Sequence, residues 1–162
     1  LVTGIAGKKD FVSIEISKKN MSNRVGFVRE VLSILESYNV SVEHLPSGID
    51  SFSVVVAKAD VKQNVYEIIA RIQEAMKPDS IRLTEPFALM ARNMNPRPGT
   101  SGRLFAALGK AGINVRMIAQ GSAELNIIVG VENKDFNRAV AALYETFAAE
   151  AKEVRAQQAQ NA

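Results

Sequence analysis

The chain has no cysteine and a single histidine, His44, among its 162 residues. Without thiols there is no disulfide framework and no thiolate metal site, and one imidazole cannot build a ligand cluster, so no metal centre is expected. A cytoplasmic setting follows as the expectation. No apolar run approaches the roughly 20 residues that span a bilayer. The start shows no basic, apolar and small-residue succession of a secretory signal, so no membrane association is expected. Charge of one sign is not concentrated anywhere: 20 basic and 17 acidic residues are spread along the chain for a net +3, which gives no footprint for nucleic acid. There is no Ser-His-Asp set and no phosphate loop of Walker type, so no catalytic residue is assigned. What the chain does have is 47% hydrophobic residues, enough for one ordinary domain or two small ones. It opens at Leu1, not Met, directly in strand-like sequence, which suggests a piece of something longer.

In "FVSIEIS", Val12, Ile14 and Ile16 alternate with Ser13, Glu15 and Ser17, the pattern of a strand with one buried face. Val28, Val31, Leu32 and Leu35 then fall at i, i+3, i+4 and i+7, predicting an amphipathic helix that starts near Arg24 or Val25. "VSVEHL" and "SFSVVVA" read as two strands joined by the turn "PSGID". Val61, Val65, Ile68, Ile69 and Ile72 restore the helical period behind Asp60 as N-cap, and "SIRLTE" closes the unit as a short strand. The order is βαββαβ. "FALMAR", the stripe Leu104, Phe105, Leu108 and Ala111, the strands "INVRMIA" and "LNIIVGV", and the stripe Phe136, Ala139, Val140, Leu143 and Phe147 repeat it without a final strand.

At an offset of 73, Asn20, Met21, Arg24, Gly26, Leu35, Val42, Gly48 and Val56 meet identical residues at Asn93, Met94, Arg97, Gly99, Leu108, Val115, Gly121 and Val129. Unrelated segments of that length would share about two, so the repeat reads as an internal duplication. The segment "LVTGIAG" has no role in the first unit and is expected to complete the sheet of the second. The fold class predicted is α+β: two ferredoxin-like βαββαβ units, each an antiparallel four-stranded sheet with helices on one face. The first spans residues 8–85 and is nested in the second, made of 1–7 plus 86–150, with 151–162 as a tail.

"NMNPRPGTSGRLFAALGKAGINVRMIAQGSAELNIIVGV" resembles the paired ACT domains of the C-terminal regulatory half of aspartate kinase, and "EHLPSGIDSFSVVV" is similar to the monofunctional branch found in Gram-positive bacteria. The resemblance covers nearly the whole chain. It implies a regulatory segment that binds an end-product amino acid, lysine or threonine, and forms a homodimer through its sheets. It also implies an upstream catalytic domain that uses ATP and Mg to phosphorylate aspartate and is inhibited by feedback. None of that domain's nucleotide motif is present, so the segment should be inactive alone.

An amino acid presents a carboxylate and an ammonium, and its site needs N–H donors opposite carboxylate or carbonyl acceptors. The start of the first helix offers unpaired N–H groups and the positive end of its dipole, with Gly26 and Gly99 allowing close approach. Val42, Glu43, His44 and the turn "PSGID" offer acceptors, with Glu43 and Asp50 suited to a cationic side chain. By resemblance the effector contacts are Met21, Arg24, Phe27, Val28, Val42, Glu43, Ser47 and Gly48, to which the chemistry of the turns adds Asn23, Gly26 and Asp50; Asn95, Gly99, Asn114, Val115 and Gln120 match in the second unit. Pro96 and Pro98 stiffen the second turn, so effector is expected mainly in the first. On side-chain type alone, Met21 and Met94 read as core residues and Glu43 and Asp50 as solvated charges. Two other functions share the topology: an ACT-type amino-acid sensor of another enzyme, and an RNA-binding sheet. The latter needs aromatic platforms, and the central strands offer only Phe52.

Overall fold

A computed structural model describes residues 4–93, 98–120 and 126–160. The chain divides into two compact units, one of residues 10–86 and one joining residues 1–9 to 87–162. Both are α+β units with antiparallel sheets, and the elements run in the expected series.

The unit of residues 10–86 takes the C-terminal part of strand β1 (Ile5–Ser17), then a 3-10 turn (Met21–Asn23), α1 (Phe27–Ser37), β2 (Val42–His44), β3 (Ser51–Ala57), α2 (Lys58–Val61), α3 (Val65–Met76) and β4 (Ser80–Leu83). The strand order is β2-β3-β1-β4, with Ser17 opposite both Ser51 and Ser80. Val12, Ile14 and Ile16 face Val56, Val54 and Phe52 in register and form the core with Phe27, Val31, Leu35, Ile68, Ile72 and Met76. Several expectations are corrected. The helix begins at Phe27 and not at Arg24 or Val25, because the 3-10 turn and an αL Gly26 intervene. Its buried stripe is Phe27, Val31, Ile34 and Leu35, with Val28 and Leu32 at the margin. Asp60 lies inside α2 and is not a cap; Asn64 precedes α3 instead. Nor is β1 one-faced: Phe11 and Ser13, whose side chains alternate away from the core, are also buried, as is Val55 opposite Ser13. The Ser13 backbone is satisfied there: its N–H donates to Thr84 Oγ1 and its carbonyl accepts the Thr84 N–H.

The other unit contains β5 (Phe87–Asn93), α4 (Thr100–Lys110), β6 (Val115–Gln120), β7 (Asn126–Glu132), a 3-10 turn (Asn133–Asp135) and α5 (Phe136–Gln160), which runs on through the stretch expected to be a tail. Its order is β6-β7-β5-β1, so the N-terminal part of β1 supplies the strand that the second repeat lacks. Gly7 sits close enough to this unit that a Cβ there would lie 2.6 Å from the Phe136 ring and 3.1 Å from the Leu89 carbonyl oxygen. The core is Ala88, Met90, Leu104, Leu108, Ile127, Val129, Val131, Leu143 and Phe147.

The offset of 73 holds for the helices, since Phe27–Ser37 maps onto Thr100–Lys110, but it fails in the strands. Register pairs Phe11 with Ala57 and Phe87 with Glu132, so β5 matches β1 at an offset of 76 and β7 matches β3 at 75. Residues 18–26 therefore form a strand-to-helix connection three residues longer than residues 94–99. Asn20 lies in a turn whereas its sequence match Asn93 ends a strand. Among the described residues no helix is long and apolar enough to cross a membrane.

Candidate functional site

Three connections meet where β1 ends: residues 18–26, the β2–β3 turn of residues 45–50 and the α3–β4 loop of residues 77–79. They are stitched by backbone. The N–H of Lys18 donates to the Asp50 carbonyl at 2.9 Å and that of Asp79 to the Ser17 carbonyl at 2.9 Å. Asn20 then adopts the left-handed conformation, φ 59°, which asparagine tolerates better than most residues, and the chain closes into the 3-10 turn. Gly26 repeats the left-handed conformation at φ 82° and caps α1 without any side-chain hydrogen bond.

That cap leaves the helix end open. The Phe27 N–H reaches the Arg24 carbonyl at 3.3 Å and the Glu30 N–H returns to the Gly26 carbonyl at 2.9 Å. The Val28 and Arg29 amides between them belong to the first turn, where an α-helix has no internal acceptor, and the dipole there favours an anion. The second unit has the same device. Gly99 caps α4 at φ 83°, and the Arg103 N–H returns to its carbonyl at 3.0 Å.

The predicted residues separate into those that shape this end and those that do not reach it. Met21 and Phe27 are buried in the core, Phe27 edge-on to Phe52 at 6.0 Å, so they contribute backbone position and not side-chain contact. Arg24 folds back: its guanidinium lies 5.4 Å from the Phe27 ring, pairs with Glu30 at 3.2 Å and donates to the Met76 carbonyl at 3.4 Å. The ion pair is solvent-exposed and worth little in stability; its effect is to turn the guanidinium back toward α1 and α3. Asn23 is exposed and Val28 half-buried. Ser47 and Gly48 lie in the neighbouring turn, Ser47 bridged to Phe52 and the Gly48 N–H donating to the Ser51 carbonyl at 2.7 Å. Asp50 is exposed, and its Oδ1 accepts the Asn20 N–H at 3.0 Å, so it braces the turn.

Val42 and Glu43 lie elsewhere. Val42 pairs with Val56 and so sits five residues down the sheet from the Ser17–Ser51 end, roughly 16 Å at strand rise. Glu43 is exposed at the irregularity between Val42 and His44 on the edge strand β2. His44 is half-buried with Nε2 out of contact with any hydrogen-bonding group among the described residues, and burial holds its pKa below the ordinary imidazole value. Of the second-unit residues, Gly99 and Asn114 are exposed, Val115 is half-buried and Gln120 is exposed at the end of β6, whereas Asn95 lies outside the described residues.

Two features had no signal in the sequence. Asp79 looks like an ordinary loop acid after "KP", yet its Oδ2 accepts the Lys19 N–H at 2.6 Å. Arg92 reads as a surface charge at the constant offset, but the register gives it the place of Ile16. It is buried on the core face with its guanidinium 3.2 Å from the centre of the Phe147 ring. No group of acidic, histidine or cysteine side chains suited to a metal ion occurs among the described residues.

Comparison with known proteins gives this geometry a context. Residues 87–147 match the family described as ACT domain. The chain is 36% identical over 150 residues to aspartokinase 3 of Bacillus subtilis, covering 90% of this chain and 33% of that protein. Its fold superposes on the crystal structure of Clostridium acetobutylicum aspartate kinase with a TM-score of 0.86 at 46% identity, covering 91% of this chain and 35% of that one. It shares its fold, at 19% identity and a TM-score of 0.68, with E. coli aspartokinase III, solved in complex with lysine and aspartate. The chain thus spans about a third of the length of the aspartokinases it matches.

Proposed function

Because residues 87–147 belong to the ACT-domain family and the chain as a whole matches the regulatory part of aspartokinases, we propose that it senses an end-product amino acid for such an enzyme. In this reading a catalytic domain elsewhere in the protein phosphorylates aspartate with ATP and Mg in the cytoplasm. The effector bound here shifts that domain toward an inactive arrangement through its differential affinity for two states. The carrying observation is the turn at residues 18–26. It presents the uncapped N-terminus of α1 behind a left-handed glycine, beside the polar turn of residues 45–50. An α-carboxylate is the ligand group that such an end favours.

Lysine is the effector proposed, with its carboxylate on the Val28 and Arg29 amides and its ammonium groups on carbonyls of the 45–50 turn and on Glu43. The lysine complex of the E. coli enzyme, a relative in fold, supports the choice. Glu43 joins through a homodimer. The outer edge of β2 pairs with no strand among the described residues. In this reading a second copy, associated through its sheet, supplies Glu43 to the effector held by the first. Calorimetric titration with lysine and, separately, threonine tests the reading. Saturable lysine binding at micromolar to millimolar affinity is expected, and binding of neither amino acid would remove it. Threonine binding alone would keep the sensor and move recognition to the Ser47 hydroxyl.

A further inference from the structure

We propose that Asp79, on the loop before β4, is a positioning residue of the effector site, acting with Asp50 as a two-sided clamp on the backbone that leads into the 18–26 turn. The proposal rests on the effector reading above and adds to it a residue with no place in the effector contact set.

The central strand β1 leaves its ladder at Ser17, where both neighbours also begin, β3 at Ser51 and β4 at Ser80. Beyond that point the ladder has no further strand carbonyls to offer, and an exposed turn would be expected to fray. Side chains take over. Asp50 and Asp79 each stand immediately before a flanking strand, and their carboxylates accept the next amides of the central one: Asn20 N–H to Asp50 Oδ1 at 3.0 Å, Lys19 N–H to Asp79 Oδ2 at 2.6 Å. Lys18 completes the alternation, its N–H on the Asp50 carbonyl at 2.9 Å and its Nζ on the Lys77 carbonyl at 2.7 Å. Three consecutive amides are thus held from left, right and left. Amides bonded to carboxylates are among the stronger hydrogen bonds a backbone makes. The result is that Asn20 keeps its left-handed conformation and the six residues after it carry the open helix end to a fixed place.

The two carboxylates have no counterpart in the sequence at the matching positions of the second unit. Leu125 precedes β7 where Asp50 precedes β3, and Gly4 precedes the N-terminal end of β1 where Asp79 precedes β4. Neither can accept an amide through a carboxylate. The longer connection, 18–26 against 94–99, is the one that carries the clamp. Length without bracing would cost ordering entropy each time an effector bound, and the two carboxylates provide that order in advance.

The test compares the wild-type protein with Asp79→Asn, Asp50→Asn and the double variant, by lysine titration and by amide hydrogen exchange. Asp79→Asn keeps shape and an acceptor oxygen but loses the charge, and is expected to weaken lysine about fivefold to tenfold. Exchange at Lys19 and Asn20 should quicken while that of Ile72 in α3 is unchanged. The double variant should weaken binding by less than the product of the single effects, because both carboxylates order one turn. A purely structural role would instead quicken exchange across the whole unit. Lysine affinity unchanged in Asp79→Asn, with wild type binding normally, would overturn the positioning role and leave the effector reading intact. Should Asp79→Asn be poorly folded, Lys19→Ala serves as control. It keeps the amide and must leave affinity within about twofold; a larger loss would place the effect in the Lys19 side chain and overturn the proposal. Wild type that binds no amino acid would overturn both.

Discussion

Glu43 shows how a residue and its position have to be judged apart. Its side chain type suits a lysine ammonium, and the resemblance puts it in the effector set, but the register of β2 sets it well below the turn of its own copy. Its side chain is exposed and has no fold role among the described contacts, so the proposed effector role is separable from stability. Glu43→Ala should weaken lysine more than about tenfold, ~1.4 kcal/mol, while altering unfolding free energy by less than about 0.5 kcal/mol. Isothermal titration and chemical denaturation on the same sample check both, and an unchanged affinity would take Glu43 out of the site. Asp50 is the opposite case. Its chemistry was legible and its role was not, because a sequence does not show that the Asn20 amide lies one hydrogen bond away. Met21 and Phe27 fall between: their burial follows from apolar side chains, and what they give the site is where they hold the backbone.

Elements were legible where a period is long enough to overrule local ambiguity. The strands and amphipathic helices of the two repeats needed only spacing to be recognised, and they occur in the order the spacing gave. Boundaries that depend on backbone conformation were not, and the delayed start of α1 is the main one: a glycine at φ 82° and a 3-10 turn have no hydropathy signature. The register shift within the edge strand β2 escaped for the same reason and leaves a testable mark on pH dependence. His44 sits at that irregularity with a pKa lowered from 6.5 by burial, so in the folded protein the neutral ring is preferred. As pH falls through the imidazole range, the unfolded chain takes up its proton before the folded one, and folding stability declines toward acid. Thermal melts between about pH 7.5 and 5.5 should show this fall, and His44→Gln should flatten it over that window. A slope unchanged by the substitution would assign the dependence to other groups.

At the scale of the whole molecule, the duplication explains why chain order and unit order differ. The second repeat ends in a helix and has no closing strand of its own, and the structure gives it the residues at the other end of the chain. The missing strand and the surplus N-terminal segment were both visible in sequence; the shift from an offset of 73 in helices to 75 and 76 in strands was not, since identities alone cannot separate a turn insertion from a conserved register. The nesting makes a prediction that sequence distance would not suggest. Gly7 lies 80 residues from Phe87 yet packs in the same unit, with no room for a side chain against the Phe136 ring. Gly7→Ala forces that ring, already packed on the core with Ile5 and Val140, out of its place, at a cost of about 1–3 kcal/mol typical of overpacking. Hydrogen exchange should then quicken at Met90 in β5 and Val129 in β7, residues distant in sequence, and stay unchanged at Val54 in β3, its nearer neighbour along the chain. Lysine binding at the first-unit turn should be retained within about twofold, because the substitution touches neither the turn of residues 18–26 nor its clamp. Quickened exchange at Val54 with Met90 unaffected would mean that the N-terminal strand serves the other unit, and the nested arrangement would have to be abandoned.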